Sequence, residues 1–287
     1  MKESIPRQIM ASVGKLHMLY TCPFCWKVRS LLEHLDIEHE RLQVNPLKQK
    51  KTLPSAPEWK KVPVWVDAED KVYVDSTPIM KHIDEVHNNG KLWNNGDEAR
   101  RDQWMEWVDL HMSKATIPIL YGSILSALRT TTRVSKLENF GFFSKRLYAW
   151  AGFPVMWGII ARSRVKKDGR TPKKLWHDLL SEFVGAFEGK QFFGGDSPDL
   201  IDIAAFGYVR SISPYPQFSQ IEEHEIGMEW YRSVEATVKV RIWILSKMYL
   251  VFDSLKLNNQ TCSWDLTKAV GFMQMKGHGI ELNCRHI

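Results

Sequence analysis

Apolar and polar positions recur with two different periods along the chain, and the period changes near residue 97. Residues 15 to 21 (Lys-Leu-His-Met-Leu-Tyr-Thr) read as a short strand. From Cys22 to Leu35 the apolar residues Val28, Leu31, Leu32 and Leu35 fall at helical spacing. Residues 39 to 44 are a second strand, ended by Asn45-Pro46, and the lysines 48, 50 and 51 with Pro54 and Pro57 mark a loop. Val62 to Val66 and Val72 to Val74 read as strands joined by the turn Ala68-Glu69-Asp70. A helix is expected after Asp75-Ser76, with Ile79, Met80, Ile83 and Val86 on one face.

Asn88-Asn89-Gly90 and Asn94-Asn95-Gly96 then punctuate the chain, and helical patterns dominate beyond Asp97. Trp104, Trp107, Val108 and His111 form one apolar-leaning face; Leu175, Leu179, Phe183, Ala186 and Phe187 form another over 173 to 188. Asp199 is placed to cap a strongly apolar helix over Ile203 to Val209, with Asp202 reaching back to the cap amide. Ile242 to Leu255 is apolar enough for a further helix, and no periodicity is visible after Asn258-Asn259. The order β-α-β-loop-β-β-α over 15–90 is that of a thioredoxin-like α/β domain. An all-α domain over 97–240 and an unassigned extension over 241–287 complete the division.

The 287 residues are 44% apolar and 25% charged, as in folded globular proteins, and the length suits two domains. The net charge of +6 is uneven. Between Arg129 and Lys174 there are twelve Lys/Arg against only Glu138 and Asp168. Such a stretch is either a solvated basic face or a surface for anionic lipid; of its anionic partners, a membrane surface is expected and nucleic acid is not. Leu147 to Ala161 is apolar throughout and interrupted by Pro154. It is too short for the ~18 to 20 residues of a spanning helix. It reads as a buried core helix or, alternatively, as a segment lying in a membrane interface. The first 14 residues lack the apolar run of a secretory signal. The four cysteines, at 22, 25, 262 and 284, do not form the dense framework of a small secreted protein. A reducing, cytoplasmic setting is therefore expected, with attachment to a membrane surface as its refinement.

Cys22-Pro23-Phe24-Cys25 stands where a strand gives way to a helix. Pro23 suits the first helical position, where its missing N–H costs nothing. Cys22 then falls at the N-cap, where unpaired amides and the helix dipole stabilise a thiolate. Cys25, one turn on, is placed to resolve a mixed disulfide, and Lys27 and Arg29 are expected to add positive potential. A zinc site would need partners from His278, Cys284 and His286, some 250 residues away; no metal ligand set is assigned. Val62-Pro63 suggests a cis peptide at the entry of a strand, leaving the Val62 backbone to pair with an extended peptide. At Asp75-Ser76, amides and a hydroxyl can hold a carboxylate while the Asp carboxylate holds an ammonium. The γ-glutamyl end of glutathione carries both groups.

Thr21-Cys-Pro-Phe-Cys-Trp-Lys-Val-Arg29, Val44-Asn-Pro46, Lys61-Val-Pro63, Asp75-Ser76, Phe193-Gly-Gly195, Asp199-Leu-Ile-Asp-Ile203 and Glu229-Trp-Tyr231 with Val234-Glu235 together resemble the membrane-associated prostaglandin E synthase 2 family. The resemblance implies a thioredoxin-like domain followed by a helical domain like that of glutathione transferases. It implies isomerisation of the endoperoxide prostaglandin H2 to prostaglandin E2, glutathione binding, and haem alongside it in some preparations. It implies Cys22 as the essential thiol, Phe24 lining the site, and Val62, Asp75 and Ser76 holding glutathione. Transferase-like folds often pair, so a homodimer is compatible with it. The family carries Tyr three residues before its first Cys, where this chain has Leu19. Two other readings use the same residues: a glutaredoxin-like thiol–disulfide oxidoreductase, and a glutathione- or haem-binding protein without turnover.

Overall fold

Strand β1 (Gly14–Met18) lies at the centre of a four-stranded sheet in a computed structural model that describes residues 13–238 apart from 49–52, 54, 57, 95 and 140. Its helix α1 (Pro23–His34) crosses to β2 (His39–Gln43), which pairs parallel to β1. After the excursion through residues 44–63, β3 (Val64–Val66) pairs antiparallel to β1, with Leu16 opposite Trp65. β4 (Val72–Val74) returns antiparallel to β3 across the Asp67–Lys71 turn, and α2 (Ser76–Asn88) follows. The sheet order is β2-β1-β3-β4. Because β1 and β4 run the same way and β3 runs against them, the end of β1, the entry to β3 and the end of β4 share one edge of the sheet.

The helical half begins with α3 (Glu98–Trp107), which runs through a π-helical segment (Val108–Met112) into α4 (Ser113–Tyr121). Next come α5 (Ile124–Leu137), α6 (Phe142–Phe153), a second π-helical segment (Pro154–Ala161) and α7 (Arg162–Asp168). Then follow α8 (Pro172–Gly185), α9 (Leu200–Arg210), the short α10 (Ser219–Glu222) and α11 (Glu225–Thr237). The expected capping box is formed: Asp199 accepts from the amides of Ile201 (2.8 Å) and Asp202 (3.0 Å), and Asp202 accepts from the Asp199 amide (3.1 Å). Arg101 pairs with Asp199 at 2.8 Å, so the cap also ties α9 to α3. The described residues form one compact unit.

α1 sets the junction of the two halves. Its apolar face covers the sheet, while its polar face packs along α9, so every residue from Cys25 to Glu33 is buried. Gly207 makes this close approach feasible: a Cβ there would lie 2.6 Å from the Lys27 Cα and 2.8 Å from the Lys27 nitrogen. The charges that α1 buries are paired. Glu33 accepts from Arg29 (2.7 Å) and Arg210 (2.5 Å). Burial pushes the Glu33 carboxyl up, but the two guanidinium groups outweigh it and hold the group below its ordinary value.

Three expectations are corrected. Val86 is 58% exposed rather than on the packed face of α2, whose inward apolar residues are Ile79, Met80 and Ile83. His111 is exposed, and the inward positions of its segment are Met105, Val108 and Met112. The stretch Leu147–Ala161 is not a core helix: only Ala149 and Ala161 are buried, while Leu147, Trp150, Val155 and Ile159 stand at the surface. The expected helix Ile242–Leu255, the tail after it, and Cys262 and Cys284 lie outside the described residues.

Candidate functional site

The shared sheet edge gathers Cys22, Phe24, Cys25, Val62, Pro63, Asp75 and Ser76. Cys22 is the N-cap of α1, with extended backbone (φ −89°, ψ 117°) and Pro23 as the first helical residue. Val62-Pro63 is a cis peptide directly before β3. Val62 presents its carbonyl to Cys22, whose Sγ lies 3.8 Å away. Asp75 is the N-cap of α2, where it adopts φ 69°, a left-handed conformation seldom seen in a residue other than glycine. Its carboxylate accepts from the Ser76 amide at 2.7 Å, and the Ser76 side chain is enclosed. The amide expected to meet a ligand carboxylate is thus held by Asp75 itself. Phe24 is 37% exposed and stands edge-on to the Tyr208 ring of α9, 5.6 Å between centroids.

Cys22 is half-buried and Cys25 fully buried. A hydrogen bond from the Cys25 side chain holds the Cys22 thiol below its ordinary value, assisted by the Cys25 and Phe24 amides and opposed by burial. No capping hydrogen bond closes from Cys22 onto the helix, so these amides act as near, incompletely aligned donors. Burial pushes the Cys25 thiol well up, and its bond to Cys22 pushes the same way. The pair is therefore polarised into one sulfur that gives up its proton readily and one that keeps it.

Lys27 and Arg29 do not act as expected. Lys27 is fully buried and committed to Asp109 (2.5 Å) and to the Thr77 hydroxyl (2.8 Å). Arg29 pairs with Glu33 and stacks over Trp26, 4.4 Å from ring centroid to guanidinium carbon. Both charges are spent in the junction between the halves, and the Cys25 side chain, not either of them, leads in lowering the Cys22 thiol.

The helical half supplies residues that sequence reasoning missed. Asp109, on the first π-helical segment, accepts from Lys27, from the Thr77 hydroxyl (2.6 Å) and from the Tyr208 hydroxyl (2.8 Å). It joins α1, α2 and α9 in one network beneath Phe24. Tyr148 of α6 is pushed up to about 12 by burial first, then by the charges of Glu138 and Cys22. Burial, then Asp109, also raises the Tyr208 hydroxyl, and Cys22 adds to this. Two tyrosines of the helical half thus sense the thiol, where Leu19 offers no hydroxyl. β1 ends at Met18, short of the strand expected over 15 to 21, and Leu19 to Thr21 lead through a turn into α1. Only Glu138 left a signal in the sequence, as one of two acids in a basic stretch.

Residues 21–86 match the family described as glutathione S-transferase, N-terminal domain, a span that holds all seven site residues. Prostaglandin E synthase 2 of Danio rerio is 26% identical over 264 residues, which cover 77% of this chain and 70% of the relative. Prostaglandin E synthase 2 of Mus musculus is 22% identical over 270 residues, covering 78% and 70%. Among solved structures, a glutathione S-transferase from Rhodospirillum rubrum F11 superposes with a TM-score of 0.54 at 21% identity, covering 80% of this chain and 89% of that one. The chain has the fold of the glutathione transferases, a thioredoxin-like half followed by a helical half, and is similar in sequence to prostaglandin E synthase 2.

Proposed function

We propose that the chain is a glutathione-dependent isomerase that converts prostaglandin H2 to prostaglandin E2 through the Cys22 thiolate. One observation carries the reading: the more acidic sulfur of the pair stands at the start of α1 against the Val62 carbonyl, beside Asp75, within the span that matches a glutathione-binding family. The similarity to prostaglandin E synthase 2 supports the endoperoxide substrate. Fold alone would not.

In this reading Val62, Pro63 and Asp75 orient glutathione, with Phe24 as the apolar wall, and Ser76 acts through Asp75 by holding its carboxylate. The thiolate of Cys22, or that of glutathione held beside it, attacks one peroxide oxygen. A sulfur–oxygen bond forms as the O–O bond breaks, and the second oxygen leaves as an alkoxide that takes up a proton. Loss of the proton on the carbon bearing the sulfur-linked oxygen forms the ketone and expels the thiolate. The result is an isomer, with no net oxidant or reductant consumed. Neither His17 nor His111 is placed as a haem ligand at the site: His17 is enclosed in β1 and His111 lies at the surface against Trp107.

A second reading is favoured by the buried, proton-retaining Cys25, which suits resolution of a mixed disulfide and hence glutaredoxin-like exchange. Assays with glutathione separate the two. Turnover of prostaglandin H2 supports the isomerase, turnover of hydroxyethyl disulfide alone replaces it, and tight glutathione binding without either leaves a binding protein. Cys22→Ser is expected to lose at least about a hundredfold in rate where the Cys22 sulfur itself attacks, and to keep most of the isomerase rate where glutathione supplies the thiolate.

We also place a membrane contact on the basic stretch 129–174. No described helix is long and apolar enough to cross a membrane. Instead Phe143, Leu147, Trp150 and Ile159 are 50–83% exposed, the last three between Lys145-Arg146 and Arg162 with Lys166-Lys167. Apolar side chains flanked by cations suit an anionic lipid surface. A homodimer through the same apolar face is the competing occupant.

A further inference from the structure

Glu138 follows α5 directly, and its side chain is fully buried. Both of its oxygens are spent on the sheet-bearing half. Oε1 accepts from the Thr21 amide at 2.9 Å and from the Thr21 hydroxyl at 2.6 Å. Oε2 accepts from the Tyr20 amide at 3.4 Å and from Gln43 Nε2. All four partners are donors and all are uncharged, the pattern an ionised carboxylate takes. Thr21 directly precedes Cys22, whose own amide closes the turn on the Leu19 carbonyl at 3.2 Å. A residue more than a hundred positions away thereby fixes the turn from which the nucleophile projects.

We propose that Glu138 is a positioning residue for the Cys22 thiol: it anchors the Tyr20–Thr21 turn to the helical half and sets a fixed negative charge behind the sulfur. Two opposed influences then act on Cys22. The Cys25 side chain and the first amides of α1 favour the thiolate, and Glu138 disfavours it. The opposition has a chemical use, since the intrinsic nucleophilicity of a thiolate falls as its thiol becomes more acidic. Glu138 limits how acidic the thiol becomes and so preserves the nucleophilicity of its thiolate. It disfavours ionisation of Cys25 as well, which keeps the donor proton on that residue.

The inference rests on Cys22 being the nucleophile, but its test needs neither glutathione nor prostaglandin. Iodoacetamide alkylation of the full chain is followed against pH by mass spectrometry of the Cys22 peptide. Glu138→Gln removes the charge and keeps the shape; the midpoint is expected to fall by about 0.5 pH unit or more. An unchanged or higher midpoint overturns the proposal, because loss of a purely structural anchor would not make the thiol more acidic. Should that variant fail to fold, Gln43→Leu strips one donor from the carboxylate and leaves its charge less offset. The midpoint then rises, and no change or a fall overturns the proposal. An ordinary midpoint in the unaltered protein removes Cys22 as nucleophile. A lowered midpoint that Glu138→Gln leaves in place removes only the role of Glu138.

Discussion

Cys25 can donate a hydrogen bond to Cys22 only while it keeps its own proton, and its burial is what makes it keep that proton. The two thiols are therefore interdependent, and replacing the inner one changes the outer one. In Cys25→Ala the alkylation midpoint of Cys22 is expected to rise toward the ordinary ~8.5, by about half a unit or more. An unchanged midpoint would mean that the helix amides alone set the acidity. At this scale the sequence is informative where chemistry is local. Strand, Pro23 and helix, read in order, place Cys22 at a helix start. The same reading misassigns Lys27 and Arg29, since it has no means of knowing that α9 covers the polar side of α1. The tyrosines that sense Cys22 come from α6 and α9, more than a hundred positions away, and no spacing rule connects them to it.

α1 and α9 carry the junction between the halves, and each stability prediction belongs to that contact. Gly207→Ala puts a methyl group 2.6 Å from the Lys27 Cα, against backbone rather than a flexible side chain. Urea unfolding should show a loss of about 1–3 kcal/mol, with the site residues of α1 displaced. A glycine in a strongly apolar helix is visible in the sequence, but its reason, a backbone crossing, appears only in three dimensions. Glu33→Gln strands Arg210 and Arg29 in the same contact at a cost of about 3–5 kcal/mol near neutral pH. The sign of its pH dependence follows from the lowered folded-state value of Glu33. The pair stabilises above the ordinary carboxyl value of ~4.3, and that stability is lost as pH falls through the lower folded value. The gap between the unaltered protein and Glu33→Gln should therefore close in acid; a gap that persists unchanged to pH ~2 would contradict the pairing. By contrast the capping box at Asp199 and Asp202 was legible in full, because a cap is made by residues two or three apart.

Across the whole molecule, the period change near residue 97 separates a sheet edge bearing Cys22 from a helical half that steadies it through Glu138, Asp109 and Gly207. The apolar run Leu147–Ala161 is where whole-molecule context matters most. Periodicity alone does not distinguish a core helix from a surface one, and the segment proves to be largely surface. Trp150→Glu with Leu147→Glu should reduce sedimentation with anionic phosphatidylserine vesicles at least about tenfold and leave neutral phosphatidylcholine binding low. A gel-filtration shift from dimer to monomer in the same variant, without any vesicle binding in the unaltered protein, would assign the face to a second copy instead. The account as a whole turns on a sulfur made acidic at the head of α1 and shielded by a bound tripeptide. The direct measurement is the rate of Cys22 alkylation against pH, with and without glutathione. A midpoint clearly below ~8.5 and slower labelling in the presence of glutathione are predicted; a midpoint at ~8.5 with labelling indifferent to glutathione contradicts the account.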